Sequence, residues 1–393
     1  MADKSNKAVK KIAIATTVSL TMKSFVVETA KYLHEKCGYD VTLICNNDDA
    51  FARSLPEYLH FIPVNMARGI DLSGFASAWN FYRIFRREKF DLVQYSTPNA
   101  ASYASIASFF AHVPKRVYAQ WGIRYIGLSG TSRKIFKFIE KMVCTLSTDV
   151  RAVSRLNKAF AVSEKLYKEN KAVVVGNGGT IGVDMNDFDI NKKSEWRDEI
   201  RSKYGISQDD FVYGFSGRVS ADKGCGELLA SFKKISENNE KAKLFVVGSF
   251  EEDGRISSEL ITWAKENSAV IFTGSIEKCD MRMYYSAMDV LVHPTYRGGF
   301  GMVIQEAGAL AVPTITTKIP GASEVMEEGK SCYLVEAKNA DELEIAMNRT
   351  INDKDELELI GNGAYARTKE LYDRLIMLEN LREDYIKLLE SVK

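Results

Sequence analysis

Proline, histidine and tryptophan are scarce in this chain, with 7, 4 and 4 copies among 393 residues. So few prolines leave no room for a proline-rich linker or a long low-complexity arm, and the chain is expected to fold throughout. The six cysteines, Cys37, Cys45, Cys144, Cys225, Cys279 and Cys332, are scattered and contain no C-x-x-C pair. That spacing suits neither a zinc site nor a disulfide framework, and a reducing, cytoplasmic setting is expected. His34, His60, His112 and His293 stand in no Ser-His-Asp or Cys-His arrangement. A long hydrophobic run is lacking as well. The uncharged stretch at residues 95–114 carries Ser96, Thr97, Asn99, Ser102, Ser105 and Ser108, unlike a membrane span of about 20 apolar residues. Lys7, Lys10 and Lys11 ahead of Ile12–Thr17 loosely imitate a signal peptide, but the apolar stretch is short and reads better as a buried first strand.

A net charge of one sign is also absent, since 53 basic residues face 52 acidic ones. The balance conceals a division: residues 1–190 hold 26 Lys and Arg against 17 Asp and Glu, a surplus of +9, and residues 191–393 carry −8. A basic front half is joined to an acidic back half.

What the chain does have is alternation. Strand-like runs at Ile12–Thr17, Val41–Cys45, Leu92–Tyr95 and Val117–Tyr118 are separated by helical patterns at Lys23–Lys36, Ser77–Arg87, Asn99–His112 and Ser132–Cys144. After the turn-rich segment 176–182 the pattern restarts, with strands at Phe211–Ser216, Leu244–Val247, Val270–Thr273, Val290–His293 and Thr314–Thr316. Such alternation predicts an α/β fold of two doubly wound, Rossmann-like domains, 1–176 and 177–375, with an interdomain cleft. One long helical stretch, Lys354–Leu389, is expected at the end, its part at 376–393 packing back on the first domain.

Two glycine-rich turns carry the chemistry. In the first, Gly217, Arg218 and Lys223 lie between a strand and a helix, where amides, helix dipole and two cations suit a diphosphate; the plainer reading is two surface cations after a tight turn. In the second, Gly298, Gly299 and Gly301 open a helix that carries Glu306, whose carboxylate suits the two hydroxyls of a ribose. Successive βα units with both features define a pocket for a nucleoside diphosphate.

With these pieces the second half resembles the donor domain of the retaining glycosyltransferase family 4, whose fold is GT-B. The resemblance rests on Gly176-Asn-Gly, Gly182-Val-Asp184, Gly217-Arg218, Lys223-Gly224, Val247-Gly248, Thr273-Gly274, Tyr285, Ala287-Met-Asp289, His293-Pro294 and Arg297-Gly-Gly-Phe-Gly…Glu306-Ala. The front half is similar, more loosely, to acceptor domains of the capsule and lipopolysaccharide branch, through 15–21, Tyr95-Ser-Thr-Pro98 and Arg116-Val-Tyr…Gly122-Ile-Arg-Tyr125.

The resemblance implies a nucleotide-sugar donor, UDP-linked rather than GDP-linked, and transfer with retained anomeric configuration. Arg218 and Lys223 would be the catalytic cations. Gly217, Gly248, Gly274, Gly299, Phe300, Gly301, Met302, Val303 and Glu306 would bind the donor, and Thr17, Trp121 and Arg124 would face the acceptor. No metal and no cofactor beyond the sugar nucleotide is expected. Two departures stand out: the first of the family's paired glutamates is Gly298 here, and Trp121 takes the place of a histidine found in many relatives. The expected acceptor is a polyprenyl-diphosphate-linked glycan, met by a peripheral protein at the inner face of the cytoplasmic membrane.

The basic-aromatic segments 81–90 and 133–141 suit an anionic membrane surface, or else helices whose aromatics face the core. Nucleic acid is not an expected partner. A sugar-nucleotide epimerase of the same architecture, or a non-catalytic glycan- or nucleotide-binding partner, are the competing readings.

Overall fold

The computed structural model describes residues 9–66, 73–251 and 254–391; Lys7 and positions 392–393 of the expected returning segment lie outside them. The chain divides into two compact units, Met1–Ile181 with Ile376–Lys393, and Gly182–Leu375. The boundary falls between 181 and 182, just beyond the 176 read from the sequence.

In the first unit the strands are β1 (Lys11–Ala15), β2 (Asp40–Cys45), β3 (Leu59–Pro63), β4 (Leu92–Tyr95), β5 (Lys115–Gln120), β6 (Asp149–Ala152) and β7 (Ala172–Val173). They form one sheet in the order β3-β2-β1-β4-β5-β6-β7, parallel at every pairing. The intervening helices are α1 (Ser19–Phe25), α2 (Val27–Cys37), α3 (Asp49–Ser54), α4 (Ser73–Glu88), α5 (Pro98–Phe110), α6 (Gly130–Leu146) and α7 (Arg155–Ser163). The two-residue period of β1 sends Ile12 and Ile14 into one apolar layer and Ala13 and Ala15 into the other. Sheets buried on both faces read as continuous apolar runs, which is why β1 was legible. The helix expected over Lys23–Lys36 is instead two, α1 and α2, interrupted at Val26, whose φ and ψ are −124° and −42°.

The second unit repeats the plan with β8 (Phe211–Ser216), β9 (Ala242–Val247), β10 (Val270–Gly274), β11 (Val290–His293), β12 (Thr314–Thr317) and β13 (Cys332–Val335). Their order is β10-β9-β8-β11-β12-β13, again all parallel. Its helices are α8 (Lys193–Lys203), α9 (Cys225–Asn238), α10 (Ser258–Glu266), α11 (Met281–Ser286), α12 (Met302–Ala309), α13 (Ala322–Val325), α14 (Ala340–Asn352) and α15 (Lys354–Leu371). Arg201 is fully buried in α8, yet paired: its guanidinium donates to the carbonyls of Ala287, Ser207 and Asp210 and to the Asp289 carboxylate.

The single long helix expected over Lys354–Leu389 is two helices, α15 and α16 (Arg374–Glu390). The break has a backbone cause, because the Tyr372 carbonyl accepts from the Val183 amide and the Arg374 amide donates to the Val183 carbonyl. From Ile376 onward α16 belongs to the first unit: Tyr385, Leu388 and Leu389 pack in the same apolar layer as Ile12 and Ile14. Tyr385 donates to Gln94 at 2.7 Å, and Arg151 pairs with Asp384 at 2.6 Å.

The first unit also encloses a polar network. Glu140 of α6 accepts from the Tyr118 hydroxyl at 2.9 Å and the Gln120 amide at 2.7 Å, and Tyr167 donates to the Gln120 oxygen at 2.9 Å. Burial pushes the Glu140 carboxyl up to about 7, although both hydrogen bonds pull the other way. In the unfolded chain the proton leaves near about 4.3, so between that pH and about 7 the folded unit holds more protons and loses stability as pH rises. Glu140→Gln should therefore raise the unfolding free energy by roughly 1–3 kcal/mol at about pH 8 and change it little near pH 4.5. Urea denaturation at the two pH values checks this, and equal effects at both contradict it.

Candidate functional site

Strand order in the second sheet reverses between β8 and β11, so the turns leaving their carboxyl ends diverge and open a crevice. Both glycine-rich motifs lie there. Gly217, Arg218 and Lys223 follow β8; residues 295–301 follow β11 and lead into α12.

The turns are laced together by backbone. Tyr296 N–H donates to the Asp222 carbonyl at 2.9 Å, Gly217 N–H to the Val247 carbonyl at 3.0 Å, and Gly248 N–H to the Gly274 carbonyl at 2.9 Å. At two points no side chain fits. A Cβ on Gly224, which has φ +71°, would sit 2.0 Å from the Pro294 carbonyl oxygen. One on Gly248, at φ +143°, would sit 1.9 Å from that of Gly217.

Asp222 is the electrostatic centre of this edge. It is buried, accepts from the Ser220 hydroxyl at 2.8 Å and from Arg297 Nε at 3.1 Å, and has guanidinium nitrogens of Arg218 at 3.7 Å and Arg255 at 4.0 Å. Burial alone would raise its carboxyl. The hydrogen bonds from Ser220 and Arg297, with the charges of Arg297 and Arg218, outweigh that and hold it below the ordinary value. One carboxylate thus gathers three arginines beside Lys223. Arg218 is half-exposed and also pairs with Glu251, itself exposed. An exposed pair contributes about 0–1 kcal/mol, so Arg218 can exchange that partner for an incoming anion at little cost. Burial lowers the Lys223 ammonium from its usual value, Asp222 opposing.

Glu306 sits in α12, half-buried, and its carboxyl is raised by burial. Among the described residues its hydrogen-bond donor is Tyr285, whose hydroxyl lies 3.0 Å from Glu306 Oε2 and 3.1 Å from Ser216 Oγ. Gly301 caps α12 in the left-handed conformation at φ +60°, so Met302 and Val303 open the helix directly after the glycine turn. The Phe300 side chain turns away: it is buried edge-on to Tyr372 with centroids 5.5 Å apart, so only its backbone is offered on the turn. Gly299 lies in the turn between Gly298 and Phe300. His293, at the end of β11, is buried with Nδ1 unpartnered among the described residues, and burial, then the Lys223 charge, push its imidazole down to about 3. It is a neutral ring under the turn.

In the first unit the order reverses between β1 and β4, and Thr17 lies at that reversal. Its N–H donates to the Thr97 hydroxyl at 3.0 Å, and the two hydroxyls are 2.8 Å apart. Thr97 holds φ +65°, a costly conformation for a β-branched residue. Trp121 is half-buried against Phe25 at 5.5 Å and lines a cavity of about 40 Å³ with Gln94, Arg151 and Asp384. Arg124 is exposed and stacks over Phe136 at 4.3 Å. The structure therefore brings Gly217, Arg218 and Lys223 together with the 298–303 turn. It adds Asp222, Arg255, Arg297 and Tyr285, which the sequence motifs did not single out as site residues; the Arg297–Asp222 contact spans 75 positions.

Gly224→Ala should disrupt this edge, since neither the backbone angle nor the Pro294 carbonyl admits a methyl group. The expected result is a loss of about 2 kcal/mol or more of stability in the second unit, while Gly226→Ala, with open space around its Cβ position, stays within about 1 kcal/mol. Denaturation followed by intrinsic fluorescence reads both.

Two family models match the chain: glycosyl transferases group 1 over residues 196–367, and glycosyl transferase 4-like over residues 11–154. The capsular polysaccharide biosynthesis glycosyltransferase CapM of Staphylococcus aureus is 31% identical over 357 residues, covering 90% of this chain and 91% of CapM. An Escherichia coli UDP-Gal:alpha-D-GlcNAc-diphosphoundecaprenol alpha-1,3-galactosyltransferase is 24% identical, covering 80% and 81% of the respective chains. Among solved structures, Anabaena HepE in complex with UDP superposes with a TM-score of 0.76 at 19% identity, covering 96% of this chain and 100% of HepE. With two parallel α/β units of this topology, the chain belongs to glycosyltransferase family 4 and has its GT-B fold.

Proposed function

We propose that the enzyme transfers a sugar from a nucleoside-diphosphate donor, UDP-linked in preference to GDP-linked, to a polyprenyl-diphosphate-linked glycan in surface-polysaccharide assembly. The observation that carries this reading is the group of Arg218, Lys223, Arg255 and Arg297 around buried Asp222 at the reversal of the second sheet. Arg218, Lys223 and Arg297 held about this one buried carboxylate suit a diphosphate. The named activities of CapM and of the Escherichia coli galactosyltransferase support the pathway and the lipid-linked acceptor.

In this mechanism the bond between the anomeric carbon and the diphosphate oxygen breaks, and its electron pair leaves with the diphosphate. Arg218 and Lys223 stabilise that charge without a metal. The acceptor hydroxyl bonds to the anomeric carbon from the face the diphosphate leaves, and its proton passes to a diphosphate oxygen; the configuration is retained. Glu306, oriented by Tyr285, binds the ribose, and backbone at 299–303 meets the diphosphate. Thr17, Trp121 and Arg124 belong to the acceptor side of the first unit, and the protein works peripherally at the inner face of the cytoplasmic membrane.

Arg218→Ala and Lys223→Ala should each lower turnover by about 10²-fold or more with little change in melting temperature. Unchanged turnover in either variant removes the diphosphate assignment, and conversion of the donor sugar without acceptor points to an epimerase instead. Gly298→Glu should fold as the parent does, because the nearest atom to its Cβ position is Thr295 Cγ2 at 3.9 Å. It should raise kcat/KM for the donor by supplying a sugar-facing carboxylate; an unchanged value shows that the backbone alone holds the sugar.

A further inference from the structure

The helices α4, α5 and α6 pack side by side on one face of the first sheet. Their outer surface departs from the segments singled out in the sequence. Phe81, Phe85 and Phe90 are buried and belong to the core. Exposed instead are Phe75 (77%), Trp79 (61%), Phe110 (62%) and Phe138 (70%), with Phe109 and Ile135 partly so. Single exposed apolar residues are ordinary; six on three neighbouring helices are not.

The charge of the same surface has one sign. Arg83, Arg86, Lys134 and Lys141 are exposed and have no carboxylate partner among the described residues. Arg133 and Lys137 share the single carboxylate of Glu164, which leaves the trio with one positive charge. Of the acids on these helices, Glu88 is paired with Arg87 at 2.7 Å and Glu140 is buried; α5 contains no charged residue. Phe75, Trp79, Arg83 and Arg86 recur at three- and four-residue spacing along one exposed stripe of α4, and Lys134, Phe138 and Lys141 do so along α6, so rings and cations share the outer face of the layer. Large exposed rings among unpaired cations match a bilayer interface, where rings enter the headgroup boundary and cations meet anionic phosphates.

We propose that the outer face of α4–α6 docks on anionic lipid, with Phe75, Trp79 and Phe138 as the inserting side chains and Arg83, Arg86, Lys134 and Lys141 as the headgroup contacts. This rests on the membrane location in the proposed function and assigns it to one surface.

The test is co-sedimentation of the full chain with vesicles of phosphatidylcholine containing about a third phosphatidylglycerol, over a salt series. Wild type should bind these vesicles and bind pure phosphatidylcholine at least roughly tenfold more weakly. The triple variant F75S/W79S/F138S should lose roughly tenfold or more of its partition at an unchanged melting temperature. R83E/R86E/K134E should lose binding and its salt dependence. Absence of wild-type binding, or unaltered binding in both variants, overturns the proposal. So does a dimer in sedimentation velocity that F75S/W79S/F138S abolishes without any vesicle binding, since the face would then join two copies of the chain. Transfer to a short-chain acceptor in detergent should be equal in wild type and both variants. If wild type yields no product yet shows this pattern of vesicle binding, the proposed function fails and the surface stands.

Discussion

The active edge of the second unit depends on the contact between the turns that leave β8 and β11. Gly224 lies where any Cβ would strike the Pro294 carbonyl, and the Asp222 carbonyl accepts from the Tyr296 amide. Those contacts place Asp222 under the turn that carries Arg297, and Asp222 in turn gathers Arg218 and Arg255. A surface cluster of arginines would repel itself apart. Around a buried carboxylate held ionised by its hydrogen bonds it keeps one geometry and still has guanidinium nitrogens to offer.

Parallel sheets explain why the equipment lies at this edge. All strands of a unit point the same way, so their carboxyl-end turns converge on one rim, and the reversal of strand order leaves a gap in that rim. The same geometry in the first unit sets Thr17 against Thr97, where a β-branched residue is held at positive φ by hydrogen bonds to its partner. Strain kept at such a place marks a position that the surrounding structure over-determines.

Much of this was legible because buried parallel strands have a simple signature. β4, β8 and β11 were read from apolar composition to the residue, and the two doubly wound units followed from alternation. β3, β6, β7 and β13 were missed. β6 is Asp-Val-Arg-Ala, with charged residues on alternate positions, β7 has only two residues, and β3, Leu-His-Phe-Ile-Pro, is broken by a histidine and closed by a proline. The breaks at Val26 and between α15 and α16 have no proline or glycine to announce them. At the site, Arg218 and Lys223 were visible as a local motif, whereas Asp222 and Arg297 acquire their meaning only from a tertiary contact. The aromatics of α4 divide between core and surface by helical phase, so Phe81 and Phe85 turn inward while Phe75 and Trp79 do not.

The central claim is that this rim recognises a diphosphate rather than a nucleoside. Isothermal titration calorimetry of UDP against UMP tests it most directly. The account predicts that wild type binds UDP at least roughly tenfold more tightly than UMP, a difference of about 1.4 kcal/mol, and that the combined variant R218A/K223A abolishes the preference. Equal affinity of wild type for UDP and UMP would contradict it.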